Sequence, residues 1–488
     1  MSEATGAAAP PRVRTGIAGL DQVLQGGLFR GGVYIVMGVP GVGKTILGNQ
    51  IAFAHARTGG RVVYATILSE THARLLTFIG SMAFYEAGLV GDAISYLNAY
   101  GAVQSDGLVG LLKNLRDVVR ERRATLLVLD GMLPASMLSP SEVEYRQFVQ
   151  QLQTWIELVG CTVVLLSGGR ELDLRPEYTM VDGIIELEYT PVARRRMRNL
   201  TVRKLRGSNF LEGAHSYIIG NDGITVYPRI ETAIGGHPRE AADAVSNVTF
   251  GRPGLDQVVG GALARGSSTL LLGANGSGKT TIGLHFLAAG LDAGEAAVHC
   301  SFYEDPPAIL AMADSLGFRF SERLGQGGLE VRWFPSGEVM LDRVGYEVLS
   351  AVRRTGATRL FLDGLEAFMR SPDSERVPGF FSALVQELRT LGVTTVFTSE
   401  AARLLVTDFA SPFPGVSAVV DNLLLLFQNE IDGRLVRGMA VVKTRGRLHH
   451  REIVEFAIGP RGIEIPGPRK ARAGRTGKVA KGRRRRAR

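Results

Sequence analysis

The sequence lacks the features that would place the protein in a membrane or in an oxidising compartment. It has only two cysteines in 488 residues, Cys161 and Cys300, and each lies within an apolar run typical of a strand. Two such residues predict buried free thiols in a reducing cytosol rather than a disulfide or a metal site. No run approaches the roughly 18 apolar residues of a membrane-spanning helix, and no signal peptide is apparent. We therefore expect a cytoplasmic protein without a membrane partner.

The body of the chain also lacks the basic excess that a net charge of +9 suggests. Eleven of the 56 lysines and arginines lie between residues 469 and 488, where there is no acid; removing them leaves 45 basic residues against 47 acidic ones. The tail is broken by glycines and has almost no large apolar residue, which predicts disorder over residues 466–488. Two roles for it stay open: a solubilising extension with weak attraction to nucleic acid, or a docking segment for an acidic partner.

What the sequence does contain is an internal repeat. The segment "TGIAGLDQVLQGGL" from Thr15 aligns with "FGRPGLDQVVGGAL" from Phe250, and Asp21 and Asp256 are 235 residues apart. Further on, "TLLVLDGM" aligns with "RLFLDGLE", and "KLRG" aligns with "KTRG". Ordered landmarks of this kind indicate a tandem duplication. We expect a disordered segment 1–11, a first domain 12–229, a linker 230–247, a second domain 248–465 and the tail.

Each repeat alternates apolar strand-like runs with helix-like segments. In the first repeat the strands include "GVYIVMG", "RVVYATI", "ATLLVLD" and "CTVVLLS", and the intervening helices include "KTILGNQIAFAHA". Such alternation predicts an α/β fold with a mostly parallel sheet covered by helices on both faces. Near the end of the repeat, "DGIIELEYT" and "RMRNLTVRKLRG" predict consecutive antiparallel strands added at the edge of the sheet.

Both repeats contain a complete phosphate-binding loop of the form G-x-x-x-x-G-K-T, "GVPGVGKT" and "GANGSGKT". Its glycines allow the backbone to turn N–H groups towards phosphates at the start of the following helix. The lysine then reaches the β- and γ-phosphates, and the threonine hydroxyl can bind Mg²⁺. The predicted nucleotide-binding residues are Gly38, Gly41, Gly43, Lys44 and Thr45 in the first loop and Gly273, Gly276, Gly278, Lys279 and Thr280 in the second.

An aspartate ends an apolar strand in each repeat, Asp130 in the first and Asp363 in the second. Ligands of open α/β sheets bind at the carboxyl ends of the strands, which is where a carboxylate supporting Mg²⁺ belongs. A lone aspartate after a strand often caps a helix or forms a turn. Repetition beside both loops favours the metal-supporting role, so ATP and Mg²⁺ are the expected ligands.

The repeats differ where a hydrolytic enzyme positions its water. After the strand that follows the loop helix, the first repeat has Ser69 and Glu70, and the second has Glu304 and Asp305. A carboxylate there can orient the attacking water, or it can simply cap the next helix. Because serine cannot act as a base unaided, we expect faster hydrolysis at the second site, with Glu304, Asp305 and Glu70 as the catalytic candidates.

Two basic pairs near the repeat ends, Lys204 with Arg206 and Lys443 with Arg445, lie far along the chain from the loops. They either guard a solvated sheet edge or reach the nucleotide of a neighbouring subunit, where a cation offsets the charge that develops on the γ-phosphate.

Taken together, these motifs resemble the KaiC family of RecA-like ATPases over residues 12–465. The resemblance implies two tandem RecA-like P-loop domains and a homohexamer with Mg-ATP at its subunit interfaces. It implies Glu304 and Asp305 as the catalytic pair, and Lys204, Arg206, Lys443 and Arg445 as contacts to nucleotide in trans. It also implies autophosphorylation of the second half at a Ser-Thr pair. Here Ser417 is present but Ala418 replaces the threonine, so Ser417 alone is the candidate phosphosite.

Three functional readings follow. The first is a slow ATPase switch of the KaiC type that signals to an unknown protein partner and phosphorylates itself on serine. The second is a DNA-acting RecA-type ATPase that uses the basic tail for nucleic-acid binding. In the third, the first repeat is a nucleotide-held scaffold for oligomerisation, which is compatible with the first reading.

Overall fold

A computed structural model of the chain describes residues 11–67, 72–131, 142–169, 177–192, 195–234, 247–335, 337, 339–400, 416–431, 433–445, 448–450 and 452–465. Most of the expected segments 1–11 and 230–247, and all of 466–488, lie outside these residues. The chain forms two compact units, each built around one nine-stranded sheet. The units are described separately below.

The sheet of the first unit has the strand order β11-β10-β9-β8-β3-β7-β6-β4-β5. The six strands from β8 to β5 are parallel, and β9, β10 and β11 are antiparallel additions. A separate hairpin-like pair, β1 with β2, precedes it. The strands are β1 Arg12–Val13, β2 Leu28–Phe29, β3 Val33–Gly38, β4 Val62–Thr66, β5 Ile94–Asn98, β6 Leu126–Asp130, β7 Thr162–Gly168, β8 Gly183–Val192, β9 Arg195–Leu205, β10 Ala214–Gly220 and β11 Gly223–Tyr227.

The sheet of the second unit repeats this topology in the order β16-β15-β17-β18-β14-β19-β20-β21-β22. Again six strands are parallel and the last three are antiparallel. The strands are β12 Asn247–Val248, β13 Leu263–Ala264, β14 Ser268–Gly273, β15 Ala297–Ser301, β16 Leu329–Trp333, β17 Arg359–Asp363, β18 Thr394–Glu400, β19 Asn422–Ile431, β20 Arg434–Thr444, β21 Val454–Gly459 and β22 Gly462–Glu464.

The helices connect the parallel strands and cover the faces of the sheets. Those of the first unit's sequence are α1 Leu20–Val23, α2 Lys44–Arg57, α3 His72–Ile79, α4 Tyr100–Arg122, α5 Glu142–Val159, α6 Glu177–Met180 and α7 Ile230–Ala233. The rest are α8 Pro253–Val258, α9 Lys279–Asp292, α10 Pro306–Ser315, α11 Phe320–Gly325, α12 Leu341–Thr355, α13 Val377–Thr390 and α14 Val416–Val419. Among the described residues, no helix has the length and apolar character to cross a membrane.

The cores explain why the parallel strands carry apolar residues on consecutive positions. Every residue of β3 and β4 is buried, because helices pack on both faces of the sheet. Cys161 and Cys300 are buried free thiols within these cores, as the sequence predicts. The predicted fold class, two tandem α/β repeats with mostly parallel sheets, is confirmed.

One prediction about the strands is wrong in part. β8 and β9 are antiparallel to each other, as expected, but they do not form the edge of the sheet. β8 pairs in parallel with the central strand β3, and β10 and β11 extend the sheet beyond β9. β10 pairs only with residues 198–201 of β9, so Lys204 lies beyond that pairing. Alternating and continuous apolar runs do not distinguish a strand inside a sheet from one at its edge, which is why the pattern misled.

The repeated "GLDQV" motif has a structural role in both units. Asp21 accepts hydrogen bonds from the Thr15 N–H at 2.8 Å and the Thr15 hydroxyl at 2.7 Å. Asp256 accepts a hydrogen bond of 2.6 Å from the Phe250 N–H. Each carboxylate therefore fixes the chain that enters its unit to the short helix before the sheet.

Candidate nucleotide-binding sites

Each phosphate-binding loop joins the central parallel strand to a 14-residue helix, β3 to α2 and β14 to α9. The residues immediately before these helices, Gly43 and Gly278, have φ angles of 114° and 101°. L-residues with a side chain rarely adopt this conformation, so glycine is required there. The arrangement directs the first N–H groups of each helix towards the loop, which makes an anion-binding cradle.

The loop lysines fold back over their own loops. Lys44 Nζ donates to the carbonyl oxygens of Gly38 and Val39 at 2.7 and 3.1 Å. Lys279 Nζ makes the same two contacts, to Gly273 and Ala274, both at 2.9 Å. Burial lowers the pKa of both lysines, and facing carboxylates oppose that shift. Each ammonium group is thus held at the mouth of its cradle.

The threonine after each lysine binds the predicted aspartate. Thr45 Oγ1 donates to Asp130 Oδ2 at 2.8 Å, and Thr280 Oγ1 donates to Asp363 Oδ2 at 2.8 Å. Both aspartates are at the carboxyl end of their strands and are buried, with 7% and 6% exposure. The structure therefore brings loop lysine, loop threonine and strand aspartate together in both units, in the same geometry.

The two aspartates differ in their second hydroxyl donor. In the first unit, Tyr64 Oη on β4 donates to Asp130 at 3.0 Å. In the second unit, Thr398 on β18 donates to Asp363. By strand register, the first unit has Leu166 at the position equivalent to Thr398. The second unit has His299 at the position equivalent to Tyr64. Each unit thus supplies one extra donor to its carboxylate, from opposite neighbouring strands.

Burial raises the pKa of Asp363 to about 6. The hydroxyls of Thr398 and Thr280 oppose this shift, the carboxylate of Glu304 adds to it, and Lys279 opposes it. A divalent cation at this position would favour the charged form of the carboxylate.

The predicted acidic pair of the second unit lies at the same edge of the sheet, but the two acids have different contacts. Ser301, the last residue of β15, donates its hydroxyl to Glu304 Oε2 at 3.2 Å. Asp305 is the N-cap of α10 and accepts the Ala308 N–H at 3.0 Å. Glu304 is therefore the acid that faces the strand end beside Asp363, while Asp305 caps the helix. Ser69 and Glu70 of the first repeat lie outside the described residues.

Sequence reasoning missed two acids beside the second loop lysine. The carboxylates of Glu366 and Glu400 both act to raise the pKa of Lys279, together with Asp363. Glu366 accepts a hydrogen bond of 3.2 Å from the Glu400 N–H. Glu366 comes three residues after Asp363, where the first repeat has Leu133, so a comparison of the repeats could have found it.

Sequence reasoning also missed the side chains that hold the tips of the loops. Tyr189 Oη on β8 donates to the carbonyl oxygen of Gly41 at 2.8 Å. In the second unit, Gln428 Nε2 and Arg437 Nε donate to the carbonyl oxygen of Gly276 at 2.6 and 3.3 Å. These contacts fix the loop to the long hairpin beside it, and no local motif announces them.

The four predicted basic residues lie at the opposite, amino end of the sheets. Lys204 Nζ and Arg206 Nη2 donate to the Thr179 carbonyl at 2.9 and 2.6 Å. Lys443 Nζ donates to the Ser417 carbonyl at 2.7 Å, and Arg445 Nη2 donates to the Ala418 carbonyl at 2.7 Å. Each pair is separated from its own loop by the length of the central strand, about 17 Å at roughly 3.3 Å per residue. These cations are therefore not brought to the nucleotide cradle of their own unit.

Comparison with known proteins now decides the family. The sequence model of the KaiC ATPase family matches residues 13–231 and again residues 248–470. The chain belongs to the KaiC ATPase family. Its curated relatives include the circadian clock oscillator protein KaiC of Picosynechococcus sp., 23% identical over 467 residues that cover 93% of this chain and 89% of the relative. The circadian clock protein KaiC2 of Synechocystis sp. is 25% identical over 463 residues, covering 92% and 80%. KaiC of Prochlorococcus marinus strain SARG is 26% identical, covering 93% and 92%.

Membership of the KaiC family gives the general function, ATP binding and ATPase activity in a tandem RecA-like fold. Magnesium is the cation that such ATPases use with ATP in general. The residues fit it: a hydroxyl and a buried carboxylate meet at each loop, and Mg²⁺ takes its remaining ligands from phosphates and water. Within the described part of the chain, no three His, Cys, Asp or Glu side chains cluster as a metal site made of protein ligands alone.

The candidate phosphosite of this KaiC-family chain lies in α14. Ser417 is half-buried, and its carbonyl oxygen accepts the hydrogen bond from Lys443. It therefore lies at the amino end of the sheet with the basic pair, away from the loop of its own unit.

Proposed function

We propose that the protein is a slow ATPase switch with two Mg-ATP sites per chain, assembled as a homohexamer with nucleotide between subunits. The observation that carries the proposal is the doubled bond from loop threonine to strand aspartate, 2.8 Å in each unit, beside a loop lysine. A buried carboxylate bonded to a threonine hydroxyl at the phosphate cradle is the arrangement that holds a phosphate-bound Mg²⁺.

Each group in the second site has a chemical task that follows from its position. The loop N–H groups and Lys279 bind the phosphates, with Gly273, Gly276 and Gly278 allowing the close approach. Thr280 and Asp363 would hold Mg²⁺, with the Thr280 hydroxyl as a ligand and the Asp363 carboxylate orienting that hydroxyl at 2.8 Å. When bound, Mg²⁺ neutralises charge on the β- and γ-phosphates. Glu304, held beside the strand end by Ser301, orients the attacking water and accepts its proton.

The first site is proposed to bind with the same groups, Lys44, Thr45 and Asp130, but to hydrolyse more slowly. Glu70 is the acid that the first repeat offers, and Ser69 stands where the second repeat has Glu304. The second site in addition has Glu366 and Glu400 near its lysine. We infer that the first half mainly binds nucleotide and assembles the ring, whereas the second half performs more of the chemistry.

The hexameric arrangement gives a function to the cations at the amino ends of the sheets. Lys204, Arg206, Lys443 and Arg445 are out of reach of the cradle in their own unit, whereas a neighbouring subunit packed in a ring would present its cradle to them. Cations supplied in trans stabilise charge on the transferring phosphoryl group. The same geometry would place Ser417 opposite a neighbour's ATP, so autophosphorylation of this serine would occur between subunits.

The output of the switch is proposed to be a change of ring conformation that a protein partner reads. A DNA-acting ATPase is the second candidate, favoured by the eleven basic residues of the tail within a chain whose body is nearly neutral. Duplex and single-stranded DNA added to the ATPase assay distinguish the two, since a motor on DNA is stimulated by it.

The test of the proposed function is phosphate release by the full chain, compared with Lys44→Ala, Lys279→Ala and the double variant. Size measurement with and without Mg-ATP, and phosphoserine analysis, use the same samples. We expect turnover to be lost in the double variant. Of the two single variants, Lys279→Ala should lose more turnover than Lys44→Ala. The full chain should form a hexamer with ATP. Turnover that survives in the double variant would contradict the proposal.

A further inference from the structure

The last residue of the strand beside the magnesium-supporting aspartate carries a hydroxyl in both units. Thr66 ends β4 and pairs directly with Asp130, and Ser301 ends β15 and pairs directly with Asp363. Both hydroxyls are buried at the carboxyl edge of the sheet, where the phosphate cradle lies. They are therefore equivalent positions, and what binds each hydroxyl can be compared directly.

The two hydroxyls have different partners. Ser301 Oγ donates to the carboxylate of Glu304 at 3.2 Å. Thr66 Oγ1 lies 3.2 Å from Nε2 of His72, the first residue of α3. The hydroxyl at the strand end therefore contacts an imidazole in the first unit and a carboxylate in the second. By sequence alignment Ser69 corresponds to Glu304, so His72 does not appear in the repeat comparison and only the fold reveals it.

The surroundings of His72 suit a base. The side chain is half-buried and packs beside Tyr96 with 5.7 Å between ring centres. Burial lowers the pKa of His72, and a hydrogen bond with the Leu97 backbone partly offsets this. The imidazole is therefore neutral at neutral pH. With its proton on Nδ1, it presents the Nε2 lone pair to the Thr66 hydroxyl.

We propose that His72 is the water-positioning residue of the first nucleotide site, acting through the hydroxyl of Thr66. The inference rests on the proposed hydrolysis of ATP at that site. In the step, the oxygen of a water bonds to the γ-phosphorus while the bond from that phosphorus to the β–γ bridging oxygen breaks, and ADP leaves with the electron pair. One water proton passes to Thr66 Oγ1 as the hydroxyl proton passes to Nε2, and the imidazolium then releases its proton to solvent.

The experiment isolates the first site by using the full chain with Glu304→Gln as the parent. His72→Ala in this parent removes the base, and Thr66→Val removes the hydroxyl at nearly constant volume. We expect kcat of the first site to fall about 100-fold in either variant, within the range typical of general base catalysis. The affinity for ATP should stay within twofold, because neither group binds the phosphates. The double variant should be no slower than the single ones.

Two measurements separate a base from a merely structural contact. Imidazole added to His72→Ala should restore turnover at least tenfold, and His72→Glu should retain turnover within tenfold of the parent. The matched control is His55, whose Nε2 lies 2.8 Å from Thr125 Oγ1 at the amino end of β6 in the same unit. His55→Ala removes a similar histidine–threonine contact far from the cradle. It should leave kcat within twofold of the parent, and imidazole should not affect it.

The outcomes are separable. Turnover of His72→Ala within twofold of the parent would overturn the inference, and so would a loss that neither imidazole nor glutamate restores. A parent whose residual turnover does not depend on Lys44 would instead show that the first site does not hydrolyse ATP, which is a failure of the proposed function.

Discussion

His285 and Gln50 occupy the same position on the helices that follow the two phosphate loops, six residues after the loop lysine, and both bind the backbone of the last hairpin in their unit. The Gln50 amide accepts the Ile224 N–H at 2.8 Å and donates to the Ile224 carbonyl at 3.1 Å. His285 Nε2 accepts the Ile463 N–H at 2.9 Å. The contact is the same in kind, but only the imidazole can be protonated.

This difference predicts that acid weakens the second unit through His285, whereas Gln50 gives the first unit no such sensitivity at the equivalent contact. Burial, with a smaller contribution from the Arg252 guanidinium, lowers the pKa of His285 to about 4. In the unfolded chain a histidine has a pKa near 6.5, so between about pH 6.5 and pH 4 the unfolded state binds a proton that the folded state does not. The contribution of His285 to the free energy of unfolding should therefore fall as the pH falls across that window, by a total on the order of 3 kcal/mol.

The measurement uses His285→Gln, which copies the residue of the first unit. The chain has two tryptophans, Trp155 in the first unit and Trp333 in the second, so Trp155→Phe leaves a reporter for the second unit alone. Denaturant titrations at pH 7.5 and pH 5 should show that the free energy of unfolding falls less between these pH values in His285→Gln than in its parent. An equal loss in both proteins would contradict the assignment.

The acidic residues predict unequal hydrolysis at the two sites. Glu304→Gln should lower ATP turnover at the second site by about two orders of magnitude or more, and total turnover by more than half, since it removes the base and leaves the cradle intact. Glu70→Gln should lower total turnover by less than half, because the first site contributes the smaller share. Phosphate release under saturating ATP measures both, and equal losses would reject the asymmetry.

The loop threonines predict a dependence on Mg²⁺ that each site can lose separately. Thr280→Val removes the hydroxyl that binds Asp363 at 2.8 Å, and Thr45→Val does the same at Asp130. Without the hydroxyl, the affinity for Mg-ATP at that site should fall at least tenfold, while the affinity for ATP in excess EDTA should change little. Titration with a fluorescent ATP analogue, with and without Mg²⁺, measures this. A Thr→Ser variant should keep the Mg²⁺ dependence, and its loss there would point to packing instead.

The positions of the repeated parts of the candidate sites could be predicted from the sequence, because those parts are local. The loop, its helix and the aspartate at the end of a buried strand each follow from residues adjacent in the chain. The partners that come from other strands could not be predicted. Tyr64 and Thr398 reach their aspartates from neighbouring strands whose order only the folded sheet establishes. His72 was missed for the same reason, since alignment compares positions in sequence and the Thr66 contact depends on how the chain returns to the strand end.

The basic tail gives a prediction that separates its two roles. Removing residues 466–488 takes away 11 positive charges, so any binding of DNA by the full chain should weaken strongly and lose most of its salt dependence. ATP turnover without DNA should stay within twofold, because the tail contributes no group to either cradle among the residues assigned above. DNA binding by gel shift at two salt concentrations is the measurement. Turnover stimulated by DNA in the full chain, and lost with the tail, would favour the DNA-acting ATPase instead of the switch.

The position of Lys443 and Arg445 predicts that subunits complement one another. A chain with Lys443→Ala and Arg445→Ala keeps its own phosphate cradle but cannot supply cations to the cradle of a neighbour. A chain with Lys279→Ala can supply those cations but cannot bind ATP at its own second site. Each variant alone should have less than a tenth of the second-site turnover, since a missing trans cation costs 10³-fold or more in related phosphoryl transfers.

Mixed rings should recover part of that activity, because a Lys279→Ala subunit supplies intact cations to the cradle of the Lys443→Ala, Arg445→Ala subunit beside it. Turnover measured across mixing ratios should rise to a maximum near equal amounts, above the sum of the separate activities. The matched control replaces the first-unit pair, Lys204→Ala with Arg206→Ala, in the complementing chain, which should leave second-site recovery unchanged. A linear dependence of turnover on the mixing ratio would mean that the cations act within their own subunit. Because they lie a strand's length from the cradle of that subunit, they would then act on the structure of the cradle and not on the nucleotide.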